Sequence, residues 1–219
     1  MVKDIPNWSQ TYIDTKGVAR VEAAVRAAEM RTSGEIVPVL VRRSTTQGLV
    51  PLVLGLLFPL LILAVQDSLR ASIDHHQLIY WNIALVVGAV LGFSLGKIAR
   101  VQRWIIPVSQ QKIEAERRAM LEFYWSDLSH TKGGTGIILF VSLLEHQAVV
   151  LADQGIAQHC KPEIFDAVVA DLIQGAKKRD LASGFEAAIA RCTDLLAPHF
   201  PRQEQDVNEL GDLLIFRDR

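Results

Sequence analysis

Cysteine is scarce in this chain of 219 residues: only Cys160 and Cys192 occur, and neither has a second cysteine or histidine at zinc-finger spacing. A multi-disulfide scaffold and a zinc finger are thereby excluded, and the two read as free, buried thiols in a reducing compartment. Charge of one sign is also not in excess. The 23 basic and 24 acidic side chains leave a net charge of −1, so no nucleic-acid-binding surface is expected. The first 48 residues hold charged side chains throughout and no early apolar run, which excludes a cleavable signal peptide as the reading of this stretch. No His-Glu-x-x-His or Cys-x-x-Cys signature is present, and no Ser-His-Asp set stands out.

What the chain has in quantity is apolar sequence in two runs, Leu49 to Val65 and Ile79 to Ile98. As helices they span roughly 26 and 30 Å, close to the hydrocarbon thickness of a bilayer. The first lacks the polar stripe that a buried helix of a soluble protein normally carries. The two read as a transmembrane hairpin, residues 49–98, whose loop holds Asp67, Arg70, Asp74, His75 and His76. Arg31, Arg42 and Arg43 precede it and Lys97, Arg100, Arg103, Lys112, Arg117 and Arg118 follow it, against Arg70 alone in the loop. The positive-inside rule puts both chain ends in the cytoplasm, with a multi-pass protein in a bacterial inner membrane and His75-His76 on the far side. Tyr80 and Trp81 suit the outer interface and Trp104 the inner one. Gly88, Gly92 and Gly96 share one smooth face, which can receive either the first span or a second copy in a homodimer.

The flanks have the alternation of a soluble α/β domain. Val18 to Met30 has an apolar stripe, with Arg31 in its last turn and Gly34 as its left-handed terminator. Ile36 to Val41 reads as a strand covered on both faces, in which Pro38 favours an edge or a bulge. Ser109 to Leu128 predicts a helix with Ile113, Met120, Phe123, Tyr124 and Leu128 toward a core and Lys112, Glu116, Arg117 and Glu122 toward water. After a glycine-rich loop, Ile137 to Leu143 and Ala148 to Ala152 predict an antiparallel hairpin that turns at Glu145-His146. Helices over Glu163 to Lys178 and Gly184 to Ala197 follow. The acidic tail, residues 201–219, is either flexible or an amphipathic docking segment.

This order, together with Ser33-Gly34-Glu35-Ile36 and the passage Thr135-Gly136-Ile137 through Glu145-His146 and Val149-Val150 to Gly155, resembles the TPM domain family of thylakoid photosystem repair proteins and bacterial membrane proteins. The resemblance implies a three-layer α/β/α fold with a mixed sheet, its two halves being residues 1–48 and 104–200. Family members are associated with acid phosphatase activity and some with calcium. Three departures stand out: Thr135 replaces a frequent asparagine, Asp153 replaces the first of two glycines, and the hairpin interrupts the domain. If the last strand runs antiparallel to the others, a metal set of Glu35, His130 and Asp153 gathers at one sheet edge, for calcium or magnesium, beside a ligand loop of Thr131, Gly134, Thr135 and Gly155. The expected function is a membrane-tethered binding or adaptor module for a protein partner; the alternative is a metal-dependent phosphatase at that edge.

Overall fold

The computed structural model describes residues 5–45, 49–68, 75–126, 128, 131, 133–202 and 210–218. They form two compact units, one from Met1–Ser44 with Gln111–Arg219 and one from Thr45–Gln110.

The first unit is built on a four-stranded mixed sheet of order β3-β2-β1-β4, with β1 at Glu35–Val41, β2 at Gly136–Ser142, β3 at Gln147–Ala152 and β4 at Ile215–Arg217. β1 runs parallel to both β2 and β4, and β3 returns antiparallel to β2. The turn between β2 and β3 places His146 in the left-handed region at φ 52°. Glu145 is buried in this turn and accepts hydrogen bonds from the Ser142 hydroxyl and from the Ser44 amide, which fastens the hairpin to the end of β1.

Every residue of β1 and β2 is buried, because helices cover both faces. Ile36, Leu40, Ile137, Leu139 and Val141 face α1 (Thr15–Glu29), α7 (Asp166–Lys178) and α8 (Leu181–Leu196). Val37, Val39, Val41, Ile138 and Phe140 face α5 (Val108–Trp125) through Ala115, Ala119 and Phe123. The unit is therefore an α/β fold with a mixed sheet. Cys160 and Cys192 are free and buried, and burial pushes the Cys192 thiol up to about 12.

Pro38 occupies a strand flanked on both sides, not an edge. Glu35 donates its amide to the Thr135 carbonyl, just before β2, and Arg42 donates to Arg217 of β4, so even-numbered amides of β1 point toward β4. β4 pairs only with Val39 to Val41, and the missing Pro38 N–H falls just before that ladder begins.

Four other expectations are revised. α1 stops at Met30, which leaves Arg31 beyond the helix, paired with Asp194. Gly34 is not left-handed; a Cβ there would lie 3.0 Å from Leu196 Cδ1, so its small size admits that side chain. α5 is rotated about its axis: Phe123 and the following Leu128 are buried as expected, but Ile113, Met120 and Tyr124 are exposed, while Glu122 is 1% exposed. Two alanines let α5 approach the sheet closely, and Arg118 and Arg217 neutralise Glu122. The tail is not separate. Leu214 is buried in the core, Phe216 packs edge-on against Trp8 with ring centroids 6.1 Å apart, and β4 completes the sheet. Residues 203–209 lie outside the described part.

The second unit holds α2 (Val50–Ser68) and α3 (His75–Gly96), followed by α4 (Ala99–Ile105). α2 and α3 pack antiparallel through the glycine face: a Cβ on Gly88 would lie 2.6 Å from Ile62 Cδ1, on Gly92 2.8 Å from the Leu54 carbonyl carbon, and on Gly96 2.8 Å from the Pro51 nitrogen. Of the two occupants left open by the sequence, the structure has α2 of the same chain. One described helix, Ile79–Gly96, is long and apolar enough to cross a membrane; the described apolar stretch of α2, Val50–Gln66, is shorter than that length. His75 and His76 open α3, and their side chains fall outside the described part.

Candidate functional site

Strand direction decides which of the predicted site residues meet. Glu35 pairs with Gly136, and Ile137 pairs with Ala152, so the starts of β1 and β2 lie beside the end of β3. Across this edge Glu35 donates its amide to the Thr135 carbonyl at 3.1 Å, and Asp153 donates its amide to the Gly136 carbonyl at 2.8 Å. Thr135 is buried, and its hydroxyl donates to the Ser33 carbonyl at 3.0 Å.

The glycine-rich loop then crosses the segment that follows β3. Gly133 and Gly134 have φ of +87° and +64°, values that a side chain would strain. The Gly134 amide donates to the Thr131 carbonyl at 3.1 Å, and the Thr131 hydroxyl donates to the Leu128 carbonyl at 3.2 Å. Gly155 lies under this loop so closely that a Cβ on it would overlap the Gly133 carbonyl oxygen and sit 2.7 Å from that of Gly134. Asp153 accepts from the Gln154 amide at 2.7 Å and caps the short α6 (Gln154–Ala157). Gly134, Thr135, Asp153 and Gly155 are thus brought together as one backbone crossing, with Thr131 in the same loop. His130 lies outside the described residues.

Glu35 also belongs to a second set of carboxyls that sequence reasoning missed. Burial first, then the charge of Glu35 and a hydrogen bond with Asp212, raise the Glu29 carboxyl to about 9. Arg26 lies 4.0 Å from Asp212. These groups come from the end of α1, the start of β1 and the segment before β4. Nothing local in the sequence links them. The same is true of His159 and His199, whose ring centroids are 6.0 Å apart, with Phe200 edge-on to His159 at 5.4 Å and His159 Nδ1 3.0 Å from the Gly155 carbonyl oxygen.

Among the described residues, no three His, Cys, Asp or Glu side chains converge in a way that could hold a metal ion. A cleft of about 340 Å³ lies between α7 and α8, where Gly175 and Gly184 allow close approach. Its two carboxylates are engaged within the fold: Asp171 pairs with Arg191, and hydrogen bonds from Ser183 hold Asp180 below the usual carboxylate range.

A larger feature is apolar. The outward side of α5 shows Ile113, Met120, Leu121 and Tyr124, opposite its buried Ala115, Ala119 and Glu122. In the second unit, Leu52, Leu56, Leu60, Ile83, Val86 and Val90 are exposed on α2 and α3.

The first unit defines the class: an α/β domain with a mixed sheet and, after β1, an insertion that holds α2, α3 and α4. The chain is similar to a solved structure, the NMR structure of BA42 protein from the psychrophilic bacterium Bizionia argentinensis, with a TM-score of 0.58 and 17% identity over 94% of this chain and 96% of that one. At that identity the likeness is one of fold. Neither a comparison with protein-family profiles nor one with curated proteins finds a match.

Proposed function

We propose that this protein is a membrane-tethered, TPM-like binding module, in which the α2–α3 hairpin sits in a bacterial inner membrane and the α/β unit engages a partner protein on the cytoplasmic side. The observation that carries the reading is where the apolar surface lies. α2 and α3 turn their small residues toward each other and leave leucine, isoleucine and valine outward, the arrangement that lipid-facing helices adopt. Lys97, Arg100 and Arg103 after α3 and Arg42 and Arg43 before α2 support the cytoplasmic placement of both chain ends. The order of strands and helices in the first unit supports the likeness to TPM domains. The exposed Met120, Leu121 and Tyr124, within about one turn of α5, support a binding role, since contiguous apolar residues on a domain surface mark contact sites.

A photo-crosslinking residue placed at Met120 in the full chain, expressed in a bacterial membrane, tests this. A discrete crosslinked protein that disappears when Tyr124 is also changed to glutamate is the expected result. Crosslinks no different from those formed at exposed Lys177 would remove the binding role.

A further inference from the structure

We propose that the corner between α3 and α4 is a docking surface for the headgroups of anionic phospholipids, an inference that rests on the membrane reading of α2 and α3. The helix of α3 ends at Gly96, and its terminal carbonyls need new donors. Gln102, 3% exposed, supplies one: its Nε2 donates to the Gly96 carbonyl oxygen at 2.8 Å. This bond folds α4 back against the end of α3 and fixes which way its other side faces. Arg100 and Trp104 are one turn apart on the side away from Gln102, and Arg103 lies on the flank between. Trp104 is 89% exposed, and Arg100 and Arg103 are exposed with it.

Charge selects the kind of lipid. Residues 97–105 contain Lys97, Arg100 and Arg103 and no acidic residue. Lys97 holds its ammonium 4.5 Å from the Phe93 ring centroid, which lays its apolar stem along the last turn of α3 and adds a third positive charge beside the corner. An indole prefers that same level, and clustered cations next to a span attract negatively charged headgroups. A soluble acidic protein would answer the arginines but would give no reason for an exposed indole on the same short face at the end of an apolar helix.

The test uses the full chain in a neutral detergent, titrated with short-chain phosphatidylglycerol and, separately, with short-chain phosphatidylcholine. The expected result is tighter binding of phosphatidylglycerol, by at least fivefold, with a loss of roughly fivefold in R100Q, the factor for one cation removed. Quenching of tryptophan emission by brominated phosphatidylglycerol should fall in W104F. Equal affinity for the two lipids, or an unchanged R100Q, overturns the proposal; so does inorganic phosphate that competes as well as the lipid, since that would make the corner a simple anion site. Alkaline carbonate extraction of native membranes separates this failure from failure of the membrane reading. Protein retained in the pellet but without lipid preference removes only the headgroup site, whereas protein released by carbonate removes the spans on which it rests.

Discussion

Gly155 and Gly133 are two glycines in one crossing that are needed for different reasons. At Gly155 the obstacle is backbone, the carbonyl oxygens of Gly133 and Gly134, which cannot swing aside. At Gly133 there is space, with only Thr135 Cγ2 at 3.8 Å, and the obstacle is φ of +87°. Gly155→Ala is expected to destabilise the protein by about 3 kcal/mol and Gly133→Ala by about 1 kcal/mol, as measured by urea unfolding of the detergent-solubilised chain. Equal small effects would mean that the crossing is not a packing contact. Glu29 gives a residue-level prediction of another kind. Its folded pKa of about 9 lies above the ordinary 4.5, so the unfolded chain releases this proton first as pH rises. The stabilisation it provides is complete below about pH 4.5 and is lost steadily as pH rises through 9. Glu29→Gln, neutral at every pH, should flatten the decline in stability between pH 5 and 9 seen in unfolding curves. An identical decline in both proteins would put the titration elsewhere.

At the level of elements, α3 shows the same distinction between obstacles that can move and those that cannot. An added methyl at Gly92 meets the backbone of Leu54 and at Gly96 that of Pro51, whereas at Gly88 it meets the end of the Ile62 side chain. Gly92→Ala and Gly96→Ala are expected to cost about 3 kcal/mol each and Gly88→Ala about 1 kcal/mol, read as midpoint shifts in thermal unfolding in detergent. Three equal shifts would argue that α2 does not occupy this face. The glycine face was legible in the sequence because spacing alone defines it; its occupant was not, because spacing cannot distinguish one smooth partner from another. α5 failed in the opposite direction. Of the apolar residues assigned inward by periodicity, Phe123 and Leu128 are buried but Ile113, Met120 and Tyr124 are not, and the sheet takes Ala115 and Ala119, since close approach to Val37, Val39 and Phe140 favours small side chains. Glu122 is buried between Arg118, one turn back on the same helix, and Arg217, which reaches it from β4, 95 residues away in sequence.

For the whole molecule, the insertion point carries the main consequence. β1 is central in the sheet, and the chain leaves it after Val41 to form the second unit before it returns in α5. Both crossings into the insertion therefore belong to one folded unit and must lie on one side of any membrane that the hairpin spans. Reporter fusions at residue 72 and at the C-terminus are expected to report opposite sides; the same side for both would show that the hairpin does not span. The sequence by itself determined the local elements and their type: the covered strand at 36–41, the antiparallel pair at 137–152, and the two apolar runs, because burial on both faces and helical or strand periodicity are properties of contiguous residues. The tertiary structure decided what depends on residues far apart in the chain. It made the acidic tail a fourth strand, since Leu214 and Phe216 gain burial only where α1, β1 and Trp8 have already assembled. It placed Glu35 with Glu29 and Asp212, and it turned α5 so that Ile113, Met120 and Tyr124 face outward while Phe123 stays against the sheet.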